Sequence, residues 1–527
     1  LVILAAAGYF GYVKFAKPAL DAKKGEEAKE TLNESTSLSG KKRGKMIKVA
    51  GDPWSGYSTF RDEPRLAQEL AKSDIGLDYV NDEKLYDQNE RMKALAEGRI
   101  QVALTTVDAF LQHGARHKKN GLYPGVILWN VDESSGGDAI FLQKGKRGFD
   151  EVKPTDKVCY STGTPSEHLW DFASLSFSAL EGVQTDNGVV AKDCWDKLEA
   201  GKVQVAVLWQ PFTAIAEKKG YSKVFATGGQ ADDVIVDILV ANREFVIKEK
   251  ATIQQLANAY FKTIDGYAKD VEGHAQFITR DCGTDCAGET ALGRAVLDGI
   301  DFLTYEENAC LWWGLCGRPA KMIERIGKTG RLVAAKGKVN SGDLPEPSTI
   351  LNDSFLVAMK AQLEEKSRLA AEVAGQKTAP TGPKLDAKEK TYAYAAAAKK
   401  DDASADVGTL KLPNIYFNEG KASLDGNGQS VVDGIADRLR AFPALCVRVY
   451  GHTNSTGNAA GNKKLSQQRA ESIVSYLKAM DGVAFSAARF DVRGFGSERP
   501  VLKDGVEDKD ASRRTEFRLF NCNARTL

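Results

Sequence analysis

Gly451-His452-Thr453-Asn454-Ser455-Thr456-Gly457, followed after a short polar stretch by Leu465-Ser466-Gln467-Gln468-Arg469, is the segment on which the reading of this chain turns. Just upstream, Leu445, Val447 and Val449 alternate with other residues, which predicts a half-buried strand ended by Gly451 in a loop of small hydrogen-bonding side chains. Downstream, Leu465, Ala470, Ile473, Val474 and Leu477 recur at helical spacing, with Ser466 as a cap or first-turn residue. Arg469 is then expected one turn into the helix, able to turn back toward the loop. Its guanidinium can take a carboxylate in bidentate fashion, while Thr453, Asn454 and Ser455 offer oxygens to an ammonium. A zwitterionic amino-acid group satisfies both.

Further matches stand in order on either side: Ile415-Tyr416-Phe417 ahead of Leu424, then Asn462, Leu465-Ser466, Arg469-Ala470, Gly494-Phe495-Gly496 with Pro500, and Arg513-Arg514. On these residues the stretch 410–522 resembles the OmpA-like peptidoglycan-binding domain. The resemblance implies an α+β domain over 410–527 that holds the diaminopimelate of the peptidoglycan stem with Phe417, Thr453, Asn454, Asn462, Leu465, Arg469 and Arg513. One position departs from the family, which usually has Asp where this chain has Asn454, and that carboxylate pairs with the diaminopimelate ammonium. Asn keeps an acceptor without a charge, and a charge-assisted bond is roughly twice as strong as a neutral one. Weakened binding, a preference for an amidated stem, and a fold kept without its ligand are the outcomes this change allows.

The chain has 527 residues and a net charge of +1. At about 150 residues per domain the length predicts roughly three folded units, and the charge gives no electrostatic support to nucleic-acid binding. Eight cysteines, an even number, agree with an oxidising compartment. Cys159 with Cys194 and Cys446 with Cys522 are the expected pairs, each within one lobe or domain. Cys282, Cys286, Cys310 and Cys316 have poor spacings for zinc and no partner His nearby, so disulfides are expected there and no metal or cofactor. Residues 1–13 are an apolar run closed by Lys14 and Lys17. Thirteen helical residues reach about 20 Å against a hydrocarbon core of about 30 Å. Residues 1–20 are therefore expected to be part of a transmembrane helix that starts further upstream, with a secretory signal as the competing reading. The polar residues 21–45 read as a linker.

Over 46–365, apolar runs at 47–50, 76–80, 101–104, 126–129, 139–142, 157–160 and 203–209 read as strands, with helices such as 63–72 and 88–97 between them. This predicts an α/β fold with a largely parallel sheet, whose ligands bind beyond the carboxyl ends of strands. The residues found there are Trp54-Ser55-Gly56-Tyr57, Thr105-Thr106-Val107-Asp108, Thr162-Gly163-Thr164-Pro165-Ser166-Glu167 and Gln210-Pro211-Phe212. Thr164-Pro165-Ser166-Glu167 reads as a capping box at a helix start that presents amide donors to an anionic group.

With Gly51-Asp52-Pro53 before Trp54, Gly98-Arg99-Ile100 before the third strand, Val207-Leu208-Trp209 and Tyr305-Glu306-Glu307-Asn308, these segments resemble the periplasmic substrate-binding proteins of ABC transporters, in particular the sulfonate, nitrate and thiamine-precursor binders. The resemblance implies a two-lobed periplasmic binding protein fold about a hinged cleft, one lobe covering 46–144 and 241–365, the other about 147–240. Trp54, Ser55, Tyr57, Thr105, Thr106, Thr164, Ser166, Trp209 and Asp237 would face a small-molecule solute, an anionic one by the helix start, an amine by Asp237. Some relatives of this fold make a thiamine pyrimidine with a Cys-rich motif and a histidine. Here the cleft segments hold no cysteine cluster, and His113, His117 and His168 have no nucleophile or metal partner in sequence, so no enzyme is expected.

Residues 366–409, rich in Ala, Lys and Asp around Thr378-Ala379-Pro380-Thr381-Gly382-Pro383, read as a second linker. About forty residues span roughly 35 Å as a coil and up to about 130 Å extended, which leaves the middle domain free of the wall-bound one. The whole reads as a single-pass inner-membrane protein with its bulk in the periplasm, bound to peptidoglycan by its last domain and to a small solute or a protein partner by its middle domain, a transport role calling for a membrane permease. The alternative is a stator-like or scaffold subunit of an ion-driven motor complex. The span of such a subunit needs an ionisable residue, and residues 1–13 have none.

Overall fold

The computed structural model describes residues 43–232, 234–373, 390, 392–394, 406–522 and 525–526. The expected anchor, nearly all of the first linker and much of the second lie outside the described residues. Among those described, no helix is long and apolar enough to cross a membrane.

Strands β1 (Lys45–Ala50), β2 (Ile75–Tyr79), β3 (Val102–Thr106) and β4 (Gly125–Ser134) lead into β5 (Asp138–Leu142), β6 (Lys157–Cys159), β7 (Gln184–Thr185), β8 (Val205–Trp209) and β9 (Ser222–Ala226). The chain then returns through β10 (Val236–Asn242) and β11 (Ile300–Phe302). They form two sheets, ordered β11-β4-β10-β3-β1-β2 and β7-β6-β8-β5-β9. Each is the middle layer of an α/β lobe, and its central strands are buried along their whole length because helices cover both faces.

Both sheets are mixed, where a largely parallel sheet was expected. In the first, β1 is parallel to β2 and β3, but β10 runs antiparallel between β3 and β4. In the second, β5 runs antiparallel to β8 and β9. The cause is the double crossing between lobes. The seven expected strands all form, whereas β7, β9, β10 and β11 were not anticipated.

The crossings also move the lobe boundaries. Residues 139–142 belong to the second lobe and 236–240 to the first, the reverse of the expected division. The hinge lies where Ser134 Oγ and Thr227 Oγ1 are 2.9 Å apart and the Gly136 amide donates to Thr227 Oγ1 at 3.1 Å. A Cβ on Gly137 would stand 2.6 Å from the Gly299 carbonyl and 2.9 Å from the Trp54 ring, so only glycine passes there. From the first lobe, Lys338 reaches Glu167 at 3.1 Å and Asp171 at 2.5 Å, and Lys336 reaches Asp171 at 3.2 Å, clasping the second lobe across the cleft.

The C-terminal domain contains β13 (Asp406–Thr409), β14 (Leu445–His452), β15 (Phe490–Gly496) and β18 (Thr515–Asn521) in the order β13-β18-β14-β15. It also has a β16–β17 hairpin (Leu502–Lys503, Val506–Glu507) and a short pair of β12 (Tyr392–Ala393) with β19 (Arg525–Thr526). Val447, Val449, Phe517 and Leu519 on one sheet face meet Val432, Ile435 and Leu439 of the helix Gly426–Arg440 and Ala470, Ile473 and Leu477 of the helix Ala459–Met480. β13 falls inside the stretch read as a linker, and the helix Ser354–Val373 carries the two-lobed domain beyond residue 365. Disulfides join Cys159 to Cys194, Cys282 to Cys286, Cys310 to Cys316 and Cys446 to Cys522.

The C-terminal domain does not hang free. Phe442 lies 5.5 Å from Phe172, 5.9 Å from Phe177 and 6.0 Å from Phe225, ring centre to ring centre, so one apolar core runs from the second lobe into the C-terminal sheet. Backbone bonds stitch its rim, Lys411 N–H to Ser176 O at 2.8 Å and Ala444 N–H to Gly229 O at 2.8 Å. Asp150 accepts from Thr409 N–H and Oγ1 at 3.0 Å and pairs with Arg518. Gly148 and Gly408 permit the approach, since a Cβ on Gly148 would come within 2.6 Å of Asp406 O and one on Gly408 within 3.1 Å of Phe149 and Phe177. Whatever reach the linker has, the middle and C-terminal domains are one packed body.

Candidate functional site

In the C-terminal domain the strand ahead of the polar loop forms as its alternation predicts. The helix begins earlier than expected, at Ala459, because Asn458 caps it by accepting from Gly461 N–H at 2.7 Å. Ser466 is therefore inside the helix and Arg469 almost three turns from its start, not one. Ser466 Oγ accepts from Gly496 N–H at 2.8 Å, and Gln467 Oε1 from Gly494 N–H at 2.6 Å. A Cβ on Gly451 would fall 2.2 Å from Ser466 O and one on Gly494 2.3 Å from Gln467 N, so these glycines let the helix lie directly on the strand ends.

This packing opens a cavity of about 410 Å³ whose walls include Phe417, His452, Arg469, Asp510, Arg513 and Arg514. Arg469 is held by the carbonyls of Lys421 at 2.9 Å and Asn418 at 3.3 Å, and its guanidinium lies 5.0 Å over the Phe417 ring. Burial, and secondarily the charge of Arg513, hold its pKa below the ordinary guanidinium value. Arg513 pairs with Asp510. The walls thus carry three guanidiniums against one carboxylate, an arrangement that receives an anionic group.

Of the residues expected to bind, the cavity wall gathers Phe417, Arg469 and Arg513, but not Thr453, Asn454, Asn462 or Leu465. Asn454 Oδ1 accepts from Thr456 N–H at 3.2 Å, and Asn462 Nδ2 donates to Asn454 O at 3.2 Å and Thr456 O at 2.9 Å, so both side chains shape the loop. Thr453 Oγ1 is buried with no hydrogen-bond partner among the described residues, and Ser455 gives its N–H and hydroxyl to Glu507. Asp510 was not anticipated. Its signal is Asp508, which caps the short turn Lys509–Ser512 and sets Asp510 and Arg513 side by side.

The cleft between the lobes is lined differently. Thr106, Asp237 and Asp132 are direct neighbours across β3, β10 and β4, on one face of the sheet. The Tyr57 hydroxyl donates to Asp237, and Trp54 Nε1 to Asp132 Oδ1 at 3.4 Å. Ser55 is buried beside them. Thr105 points the other way, donating to Gln88 Oε1 at 2.8 Å. On the second lobe Asp138 stands opposite Trp209 in register, and Ser166 is buried with its hydroxyl unpartnered among the described residues. The expected capping box does not form. Thr164 Oγ1 donates to Ser161 O at 2.7 Å, and Glu167 turns to Gly163 N–H at 2.7 Å, placing the protein's own carboxylate at the helix start.

Burial raises Asp132 and Asp138 to about 7, the charges of Asp108 and Asp52 adding to the rise at Asp138. Asp237 is pushed well above the usual range by burial and then by the charge of Asp132. Burial lowers His113 to about 4 and His168 below its ordinary value, so both rings are neutral. Among the described residues no cluster of His, Cys, Asp and Glu is placed to hold a metal. Asp132 and Asp138 escaped sequence reading because each looks like an ordinary polar residue at a strand boundary.

A folded pKa raised above its unfolded value makes stability fall as pH rises, here between about 4, where the free carboxyl ionises, and about 7, where the folded one does. Asp132→Asn, which cannot ionise, is therefore expected to raise the thermal midpoint clearly at pH 8 and hardly at pH 4.5. Unfolding scans at both pH values check this, and an equal shift at both would count against it.

Residues 416–514 match the model of the OmpA family, and the C-terminal domain is of that family. Relatives include the probable lipoprotein YiaD of Escherichia coli K12, 37% identical over 112 residues that make up 21% of this chain and 50% of that one. Outer membrane porin F of Pseudomonas fluorescens is 38% identical over 104 residues, 20% of this chain and 31% of its own. The chain spans half or less of the length of these curated relatives. Among solved structures, the alkanesulfonate-binding protein SsuA of Xanthomonas axonopodis pv. citri aligns over 59% of this chain and 98% of its own at 12% identity and a TM-score of 0.44. The peptidoglycan-associated lipoprotein of Burkholderia pseudomallei aligns over 20% of this chain and 88% of its own at 25% identity and a TM-score of 0.18.

Proposed function

We propose that the chain is a periplasmic protein, anchored in the inner membrane ahead of residue 21, that grips the peptide stem of peptidoglycan with its C-terminal domain and closes its two lobes on a small solute without chemistry. The observation that carries this reading is Arg469, oriented by two carbonyls and an aromatic ring in an open cavity of cationic balance. A guanidinium so fixed meets a stem carboxylate with little further loss of freedom.

Sedimentation of the chain with diaminopimelate-type peptidoglycan tests the reading. Wild type is expected to co-sediment, Arg469→Ala to bind at least about tenfold more weakly through loss of a charged hydrogen bond, and Asn454→Asp to bind more tightly while its carboxylate keeps the Thr456 N–H. Failure of wild type to sediment would overturn the reading. A transport role calls for a membrane permease as partner. A stator-like or scaffold role does not, and the shared core between the C-terminal domain and the second lobe is the feature that favours it.

A further inference from the structure

Several buried polar groups of the two lobes are not used by the protein itself. Thr106 Oγ1 and Asp108 Oδ1 on the first lobe, and Ser161 Oγ, Ser166 Oγ and Thr213 Oγ1 on the second, are buried without a hydrogen-bond partner among the described residues. Buried polar atoms are rarely left so, and an unpaired one marks a place where something else belongs. The register of β3, β10 and β4 sets Thr106 and Asp132 on either side of Asp237, so the Thr106 hydroxyl, only 1% exposed, shares its sheet face with both carboxyls.

The charges around these atoms have one sign. Asp132 and Asp237 adjoin each other, and the charge of buried Asp108 reaches buried Asp138. The nearby cations are engaged elsewhere. Arg91 spends its donors on Leu85 O, Gln88 Oε1, Leu104 O, Tyr86 O and Asp52. Arg61 is held by Asp281 at 2.6 Å, and Lys338 by Glu167 and Asp171. The helix start that promised amide donors to an anion has Pro165, which lacks an N–H, while Glu167 N–H returns to Thr164 O at 3.0 Å and Gly163 N–H is taken by the Glu167 carboxylate. An anion entering here would meet carboxylates and few donors.

We infer that the cleft binds a small organic cation, an ammonium seated against the Asp132 and Asp237 carboxyls and Asp108, with Trp54 and Tyr57 as its aromatic wall. The inference rests on the reading of the two-lobed domain as a solute cleft. A cation relieves the mutual repulsion of buried carboxyls that otherwise keep protons, and aromatic faces favour it further. The unpaired hydroxyls accept from its N–H groups or bond its polar tail.

The test uses the full chain, with putrescine and choline as cation probes and ethanesulfonate and sulfate as anion probes, read by calorimetric titration and by the thermal midpoint. A cation probe is expected to bind and to raise the midpoint, Asp237→Asn to weaken it at least tenfold, and Arg469→Ala to leave it unchanged. An unchanged circular dichroism spectrum and cooperative unfolding of Asp237→Asn show that this variant is folded. Binding of ethanesulfonate or sulfate without either cation overturns the assigned charge and leaves the solute cleft standing. Binding of no probe overturns both, and cation binding indifferent to Asp237→Asn overturns the site.

Discussion

Phe442→Ala is expected to lower stability by about 3–5 kcal/mol, the usual cost of emptying a buried phenylalanine site, and to release the C-terminal domain from the second lobe. Phe442 is 2% exposed and touches three phenylalanines of the other domain, so its loss opens a cavity at the joint. The surrounding rings all belong to the second lobe and pack on one another, so they cannot all move inward to fill it. Denaturant unfolding should show the loss of stability, and small-angle scattering a larger radius of gyration. An unchanged radius in a folded variant would mean that the backbone bonds at the rim suffice to hold the joint.

Arg489→Ala should be as damaging, about 3–5 kcal/mol, the range for breaking a buried charged network. Arg489 is 1% exposed and donates to Leu445 O at 3.0 Å, Ala484 O at 2.8 Å, Leu439 O at 2.7 Å and Phe442 O at 2.8 Å. Truncation takes a donor from four carbonyls, of which Leu439 O and Phe442 O keep a backbone N–H and Ala484 O is only partly buried, so the cost of about 1–3 kcal/mol for an unpaired buried group applies to part of the set. Arg489→Lys should rescue little, because one ammonium cannot span what a planar fork of five donors reaches. Three of the four carbonyls belong to residues 439–445, the turn that presents Phe442. The double variant should therefore lose less than the sum of the two single losses, which chemical denaturation of the cycle measures.

Much of this was legible in the sequence. Alternation gave β14, short apolar runs gave seven strands of the lobes, and the order of glycines, Phe417, Arg469 and Arg513 gave the cavity its basic wall. The pairs Cys159–Cys194 and Cys446–Cys522 were legible because each falls within one folding unit. Other features had no local signal. Asp237 sits within a continuous apolar run, so β10 looked like a boundary, yet that run is what lets the strand cross the middle of the first sheet. The helix starts at Ala459, ahead of Ser466, because the Asn458 side chain accepts from Gly461 N–H and caps it there. The docking surface was invisible for a different reason. Phe172, Phe177, Phe225 and Phe442 read singly as core residues of their own domains, and only the close approach at Gly148 and Gly408 turns them into a common core. Asn454 was expected to face the ligand without a charge, and its Oδ1 accepts from Thr456 N–H within its own loop.

The joint at Phe442 also decides which part of the molecule can travel. If the C-terminal domain grips the wall as proposed, the second lobe is clamped to the same support, and the hinge at Ser134 and Thr227 becomes a fulcrum with fixed bearings. Each opening of the cleft is then a stroke of the first lobe alone, with Lys45 and β1 carried on the moving arm.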